Sequence, residues 1–393
     1  MKYLIWMVET ADFPKEHIPR LLEQFGSAKA VFEAKEQAIA SCLRLKEKQK
    51  KAIAAHDLSR AEAILAECKR QKIQVLGILD EAYPQRLKNI YNPPAVLYIR
   101  GTLPDFNRLP AIAVVGQRKA TPYGKSAADK LGYHLSNRGV IVVSGMAEGT
   151  DGAAHEGALK GSTPTVAVFG TAIDGCYPTF HAGLLRNILR HGAAISEYPP
   201  KKRTYSSAFP ERNRIISGLC LGTVVVEAPK RSGSLITASK ALDQGRDVFA
   251  VPANIDAASS EGCNALIQSG AKLIQGVDDI LEEYEGLYDF TPVKLAGTQA
   301  KPARKREDSL TEKKQKSRTL EWVFGGKKTK KEHEGDADEH AALLAAIDGV
   351  THIDEILNRT GLHLNQAMAQ LTLLELLGKV RQLPGKQFEK TGL

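Results

Sequence analysis

The stretch FPERNRIISGLCLGTVVVEAPKRSGSLITASKAL, Phe209 to Leu242, decides how the chain is read. Its apolar run, Thr223 to Val226 closing on Glu227, has the length and β-branched content of a buried strand. A small-residue turn, Arg231-Ser232-Gly233-Ser234, then opens a helix, and upstream Arg212 and Arg214 bracket Asn213 at the start of another. Helix N-termini offer free backbone N–H groups, and guanidinium groups offer forked donors; both favour oxyanions, phosphates above all. The stretch holds no evident nucleophile, base or metal-ligand set. The phosphate therefore belongs either to a nucleotide or to a nucleic-acid backbone.

Working outward, the same strand-then-helix alternation runs from Ala111 to about Leu281. Candidate strands are 111–116, 140–145, 164–170, 193–199, 222–229 and 246–252, nearly all ending on Gly or Pro. Continuous apolar runs of this kind belong to parallel strands covered on both faces, so the fold class is α/β with a doubly wound, mostly parallel sheet. Ligands of such sheets sit beyond the carboxyl ends of the strands. That rim carries Gly116 to Arg118, Ser144 to Met146, Gly170 to Ala172, Glu197-Tyr198 and Lys230 to Ser234.

At 393 residues the chain is too long for one compact core, and two or three domains are expected. Residues 1–70 read as a small helical domain, with Ala, Lys, Glu and Leu at helical spacing. Residues 71–290 form the α/β domain, entered through an irregular β-containing connector from Ile73 to Leu103. Residues 291–336 read as a basic, disordered linker, and 337–393 as three short helices with a hairpin through Leu383 to Lys386, a winged-helix pattern. Its third helix, Asn365 to Leu377, carries few basic residues, so a protein contact suits it as well as DNA does. Between Lys294 and Lys331 lie 13 Lys and Arg against 4 Asp and Glu, which equals the whole chain's net charge of +9. The rest is balanced, so any nucleic-acid groove on the folded parts depends on local arrangement. The five cysteines, at 42, 68, 176, 220 and 263, lack metal spacing and read as reduced cytosolic thiols; no metal site or cofactor is expected. The apolar start, MKYLIWMV, meets Glu9 and Asp12 too early for a membrane span.

The loop GQRKATPYG after the first strand has Gln117, Arg118 and Lys119 where a dinucleotide turn needs glycines, which argues against NAD and leaves Arg118 as a phosphate clamp. In SGMAEGTDGAAHEGAL, Asp151 and His155 stand one helical turn apart. With no third ligand or nucleophile in reach they read as a capping aspartate and a hydrogen-bonded histidine. Phe209, Tyr205 and Lys201-Lys202-Arg203 interleave aromatic surface with cations, the chemistry of single-stranded nucleic acid. The alternative for the Arg212–Arg214 group is a structural salt-bridge cluster with Glu197 or Glu227.

These blocks, AIAVVGQRKATPYG, VVSGMAEGTDGAAHEGAL, GTAIDGCYP, FPERNRIISGL, EAPKRSGSLITASKAL and VFAVP…GCNALIQSGA, occur in an order and spacing that resemble the DNA-processing protein A (DprA/Smf) family. The resemblance covers about Ile73 to Tyr284. It implies an extended Rossmann-like core flanked by a SAM-like helical domain and a winged helix. It also implies a cytoplasmic, non-enzymatic homodimer that binds single-stranded DNA without sequence preference. Such a protein protects incoming strands and delivers them to a RecA-type recombinase in natural transformation, with a single-stranded DNA-binding protein as a further partner. By resemblance Arg118 is a phosphate contact, Ser144 and Gly145 a glycine loop, Arg212, Asn213 and Arg214 a basic segment, and Ser232, Gly233, Ser234 and Thr237 a backbone cradle. Phe209 is placed for base stacking, and Lys201 and Lys202 are additional cations. Gln117, Ala172 and Ala253 depart from the family's pattern, the last two where glycine is expected. The competing reading is a nucleotide N-glycosidase of the lysine-decarboxylase-like group. That chemistry needs a turn glutamate, and no carboxylate occurs from Lys230 through Ala241.

Overall fold

Continuous apolar runs supply the strands of a single nine-stranded sheet. They are β1 (Gln74–Gly77), β2 (Val96–Gly101), β3 (Ala111–Val115), β4 (Ile141–Ser144), β5 (Thr165–Phe169), β6 (Ala193–Ser196), β7 (Gly222–Val225), β8 (Asp247–Ala250) and β9 (Lys272–Leu273). The computed structural model describes residues 1–288, 290, 335–362, 367, 370–371, 374–375, 378–383 and 387–391. Every residue of β3 and β5 is buried, as the sequence pattern requires of strands covered on both faces. The strand order is β1-β2-β6-β5-β4-β3-β7-β8-β9. From β6 across to β9 all neighbours are parallel, while β1 and β2 extend the sheet antiparallel beyond β6. The expected doubly wound sheet is thus present. The connector at Ile73 to Leu103 is more ordered than its sequence suggests, because β2 finds its partner, β6, some ninety residues later, a pairing no local pattern reveals.

Six short helices between Lys2 and Arg70 precede the sheet. Trp6 is fully buried among them, with the rings of Phe13 and Phe32 edge-on at 5.9 and 4.9 Å. Their apolar side chains merge into the core on one face of the sheet. Two buried carboxylates strengthen the junction. Glu9 receives the Lys202 ammonium at 2.7 Å, and Glu197 receives Lys15 at 3.0 Å.

On the other face the helices Pro122–Asn137 and Thr150–Ala158 cross with their backbones in contact. A Cβ on Gly132 would lie 2.3 Å from the Ala154 carbonyl oxygen, and one on Gly157 would lie 1.9 Å from that of Asp129. This crossing holds the loops after β3 and β4 against each other.

The C-terminal unit has its own core, with Leu343, Ile347, Ile356, Leu371, Val380 and Phe388 buried. Helices Gly335–Ala346 and Ile353–Thr360 accompany an antiparallel sheet of order β10-β12-β11, in which β10 is Thr351–His352, β11 Val380–Leu383 and β12 Gln387–Lys390. Within the expected third helix, Ala367, Gln370, Leu371, Leu374 and Glu375 are helical. Residues 384–386 of the hairpin and 291–334 of the basic linker lie outside the described residues.

Gly157→Ala should cost about 3 kcal/mol, because its methyl meets main chain that cannot swing aside. Urea unfolding of the full chain measures this as a lowered midpoint with unchanged slope.

Candidate functional site

Strand order reverses at β3. The chain leaves it to build β4, β5 and β6 on one side, then returns to build β7, β8 and β9 on the other. The loops after β3 and β7 therefore diverge, opening the crevice in which doubly wound sheets bind ligands. A cleft of about 400 Å³ lies there.

One wall is the loop after β3. The Gln117 N–H donates to the Glu227 carbonyl at 2.7 Å and the Thr121 N–H to its carboxylate at 2.8 Å. Burial opposes ionisation of Glu227, but the donors from Thr121, Gln117 and Ser259 outweigh it and hold the carboxyl below its ordinary range. With the loop backbone fixed in this way, Arg118 and Lys119 project outward, exposed. The opposite wall is the N-terminus of the helix Gly233–Asp243. Ser232 caps it, its hydroxyl accepting the Ser234 N–H at 3.3 Å. The first-turn N–H groups face the cleft with the positive end of the helix dipole. Gly233 is exposed, and a Cβ there would meet nothing within 4 Å.

Arg212, on the helix Ala208–Leu219, forms the floor. One terminal nitrogen donates to the carbonyls of Gly145, at 2.9 Å, and Val168, at the carboxyl ends of β4 and β5. Burial lowers its pKa to about 10, against the pull of Asp151, so it is cationic at neutral pH. Asp151 is the carboxylate lining this cleft among the described residues. Its Oδ2 accepts the N–H groups of Gly145 and Ala147 at 3.1 and 3.3 Å, and burial raises its pKa against the opposing effect of Arg212. Phe209 completes the rim. Arg118 lies over its ring, 5.8 Å from the centroid, and the Tyr177 ring lies 5.2 Å away.

Eight residues singled out from the sequence therefore meet around one cleft: Arg118, Phe209, Arg212, Asn213, Ser232, Gly233, Ser234 and Thr237. The others do not line it. Ser144 is fully buried with its hydroxyl donated to the Val114 carbonyl at 2.7 Å, and Gly145 lies beneath the floor, bonded to Asp151 and Arg212. Lys202 is held by Glu9, and Lys201 reaches Glu67 at 3.2 Å. Arg214 turns away to the buried Glu197, at 2.6 Å. The reason is helical: positions two apart are separated by about 200°, so Arg212 and Arg214 cannot share a face. The salt-bridge alternative holds for Arg214 with Glu197, whereas Glu227 takes the Thr121 N–H instead.

The Asp151–His155 reading also changes. Asp151 braces the loop after β4 and does not cap its own helix, whose N-cap is Gly149. His155 bonds the Thr165 hydroxyl at 2.8 Å; burial, with His181 nearby, pushes its pKa down to about 3, so it is neutral. Sequence reasoning passed over Lys119, Arg231, Asp151 and Tyr177 as site residues. Lys119 and Arg231 adjoin singled-out residues and were within reach, but Tyr177 is brought to Phe209 only by the fold. Among the described residues no three His, Cys, Asp or Glu side chains gather as a metal site, and no helix is long and apolar enough to cross a membrane.

Residues 74–285 match the family described as DNA recombination-mediator protein A, and residues 327–386 match the DprA winged helix domain. The chain belongs to the DprA/Smf family. DNA processing protein DprA of Streptococcus pneumoniae is 44% identical over 215 residues, 55% of this chain and 76% of the relative. Protein Smf of Escherichia coli is 35% identical over 307 residues, 78% of this chain and 74% of the relative. The X-ray structure of the S. pneumoniae protein superposes with a TM-score of 0.64 at 36% identity, covering 72% of this chain and 98% of that one. DNA processing protein A of Helicobacter pylori, solved for its single-stranded DNA binding mode, gives a TM-score of 0.50 at 27% identity, covering 55% and 97%. The Rossmann-like sheet and the C-terminal winged helix are thus those of the family.

Two outcomes follow from the buried charges. Arg214→Ala should cost about 3 kcal/mol in urea unfolding, because it leaves the buried Glu197 with Lys15 as its one remaining ion-pair partner among the described residues. Stability should also fall on acidification. His155 is protonated below its unfolded value of 6.5 only when the chain unfolds, so its contribution is complete above that pH and lost as pH falls towards 3. The slope reaches about 1.4 kcal/mol per pH unit. Glu197, depressed by Arg214 and Lys15 despite burial, adds a second loss below 4.5. In His155→Gln the decline between pH 6.5 and 4.5 should flatten in urea titrations.

Proposed function

We propose that this protein binds single-stranded DNA without sequence specificity through the cleft between β3 and β7. The observation that carries the reading is the pairing of an anion cradle with an aromatic ledge. The free N-terminus of the helix Gly233–Asp243, with Arg118, Lys119, Arg212 and Arg231, forms the cradle, and Phe209 adjoins it. Phosphates bind to the backbone N–H of Gly233 and to the guanidinium groups, and bases stack on the ring. Ser232 and Thr237 shape the cradle, Asn213 anchors it to Gly233, Gly145 supports Arg212 from below, and Ser144 ties the end of β4 to β3. Arg214, Lys201 and Lys202 act through their ion pairs, as positioning groups. The single-stranded DNA binding mode of the H. pylori relative supports the same ligand here.

The domain division at residues 70, 290 and 336, with the α/β part carrying the DNA, is part of this reading. So is a non-enzymatic role in the cytoplasm: protection of incoming strands and their delivery to a RecA-type recombinase, by a homodimer acting beside a single-stranded DNA-binding protein. The carboxylate-free turn Lys230 to Ala241 weighs against an N-glycosidase.

Gly233→Ala is the sharpest test, because the added methyl meets no protein atom and so reports directly on a phosphate close to the main chain. The variant should melt as the parent does yet bind oligothymidylate at least tenfold more weakly by fluorescence anisotropy. Arg118→Ala should weaken all sequences alike and reduce the salt slope by about 0.7. Parent-like affinity in both variants would remove the cleft from DNA binding.

A further inference from the structure

We infer that Tyr177 is a second base-stacking platform, extending the aromatic ledge by one ring beyond the cleft and ending the track of stacked bases. The inference rests on the DNA-binding reading of the same cleft. Tyr177 lies in the loop after β5, 51% exposed, with its centroid 5.2 Å from that of Phe209 and the planes inclined at 44°. Phe209 itself is fixed from two directions. Gly170, at the end of β5, leaves room beneath it, since a Cβ there would come within 2.8 Å of the ring, and the Arg118 guanidinium stands 5.8 Å from its centroid. Tyr177 therefore adds exposed aromatic surface in direct contact with Phe209.

The spacing decides how a base can use it. A base sandwiched between two rings needs them about 7 Å apart, twice the rise of a stacked strand. At 5.2 Å the two rings are already in contact, so nothing inserts between them. They form one continuous ledge, on which the nucleotide leaving the cleft stacks against the outward face of Tyr177. The ledge also has an end. Phe180, three residues on and 65% exposed, borders a second cleft that carries Asp129, Glu148 and Glu156 against Lys125 and His181. Asp129 is paired with Lys160, but Glu148 and Glu156 outnumber Lys125 and repel a polyanion, so Phe180 lies off the track despite its exposure.

The test compares Tyr177→Ala, Tyr177→Leu, Tyr177→Phe and Phe180→Ala in the full chain. Each is titrated by anisotropy against labelled oligothymidylate and against an abasic strand of equal length, with thermal unfolding as the check on folding. Tyr177→Ala and Tyr177→Leu should bind oligothymidylate about tenfold more weakly and the abasic strand as the parent does. Tyr177→Phe and Phe180→Ala should match the parent on both strands. Parent-like binding of oligothymidylate by Tyr177→Ala, an equal loss on the abasic strand, or an equal loss in Phe180→Ala would overturn the inference. If Gly233→Ala and Arg118→Ala still weaken binding in that case, the cleft keeps its assignment and Tyr177 alone loses its role. Parent-like binding by all of these variants would overturn both.

Discussion

The reversal of strand order at β3 is the constraint on which the rest of the structure depends. A parallel strand with neighbours on both sides satisfies its backbone within the sheet. Where the connections leave in opposite directions, however, the loops beyond β3 and β7 separate and the sheet's end lies open. The chain closes the bottom of that opening with a guanidinium. Arg212 takes the carbonyls of Gly145 and Val168, so the strand ends gain a donor and the cleft gains a fixed positive charge. Asp151 balances part of that charge and holds the loop above β4 by two backbone N–H groups. The same interactions that satisfy buried polar groups therefore prepare the anion site.

Ionic pairing separates the cations of this region into two populations. Arg214, Lys15, Lys202 and Lys201 are engaged with Glu197, Glu9 and Glu67, and the first three tie the N-terminal helices and the helix Ala208–Leu219 to the sheet. Arg118 and Lys119 face solvent at the cleft, held there by a loop whose main chain is anchored on Glu227. A count of basic residues does not distinguish these groups, although a buried, paired arginine contributes to rigidity and an exposed one to ligand attraction. The folded portion can thus be neutral overall and still present a concentrated cationic cleft.

The legible part of the site was the part built from short sequence windows. The turn Arg231 to Ser234 and the loop Gly116 to Lys119 each carry their chemistry within a few residues, and both line the cleft. Arg212 and Arg214 looked equivalent in sequence because the reading stopped at composition; their helical phase places only the first on the cleft. The reading of His155 as a hydrogen-bonded histidine holds, whereas that of Asp151 as a helix cap does not. Asp151 takes the N–H groups of Gly145 and Ala147 in the loop after β4, and His155 bonds the Thr165 hydroxyl on β5, partners that the fold supplies.

By itself the sequence determined β3 to β8 of the parallel sheet, though not the two-residue β9, together with the phosphate-compatible turns at their ends and the family. Each of these rests on interactions between near neighbours along the chain: burial pattern, turn chemistry and helix capping. Only the tertiary structure decided the order of the strands, the antiparallel extension through β1 and β2, the commitment of Arg214 to Glu197 and the meeting of Tyr177 with Phe209. Those depend on which distant segments share a hydrogen-bond ladder or a buried charge. That choice is made by the packing of the whole core, and no local window contains it.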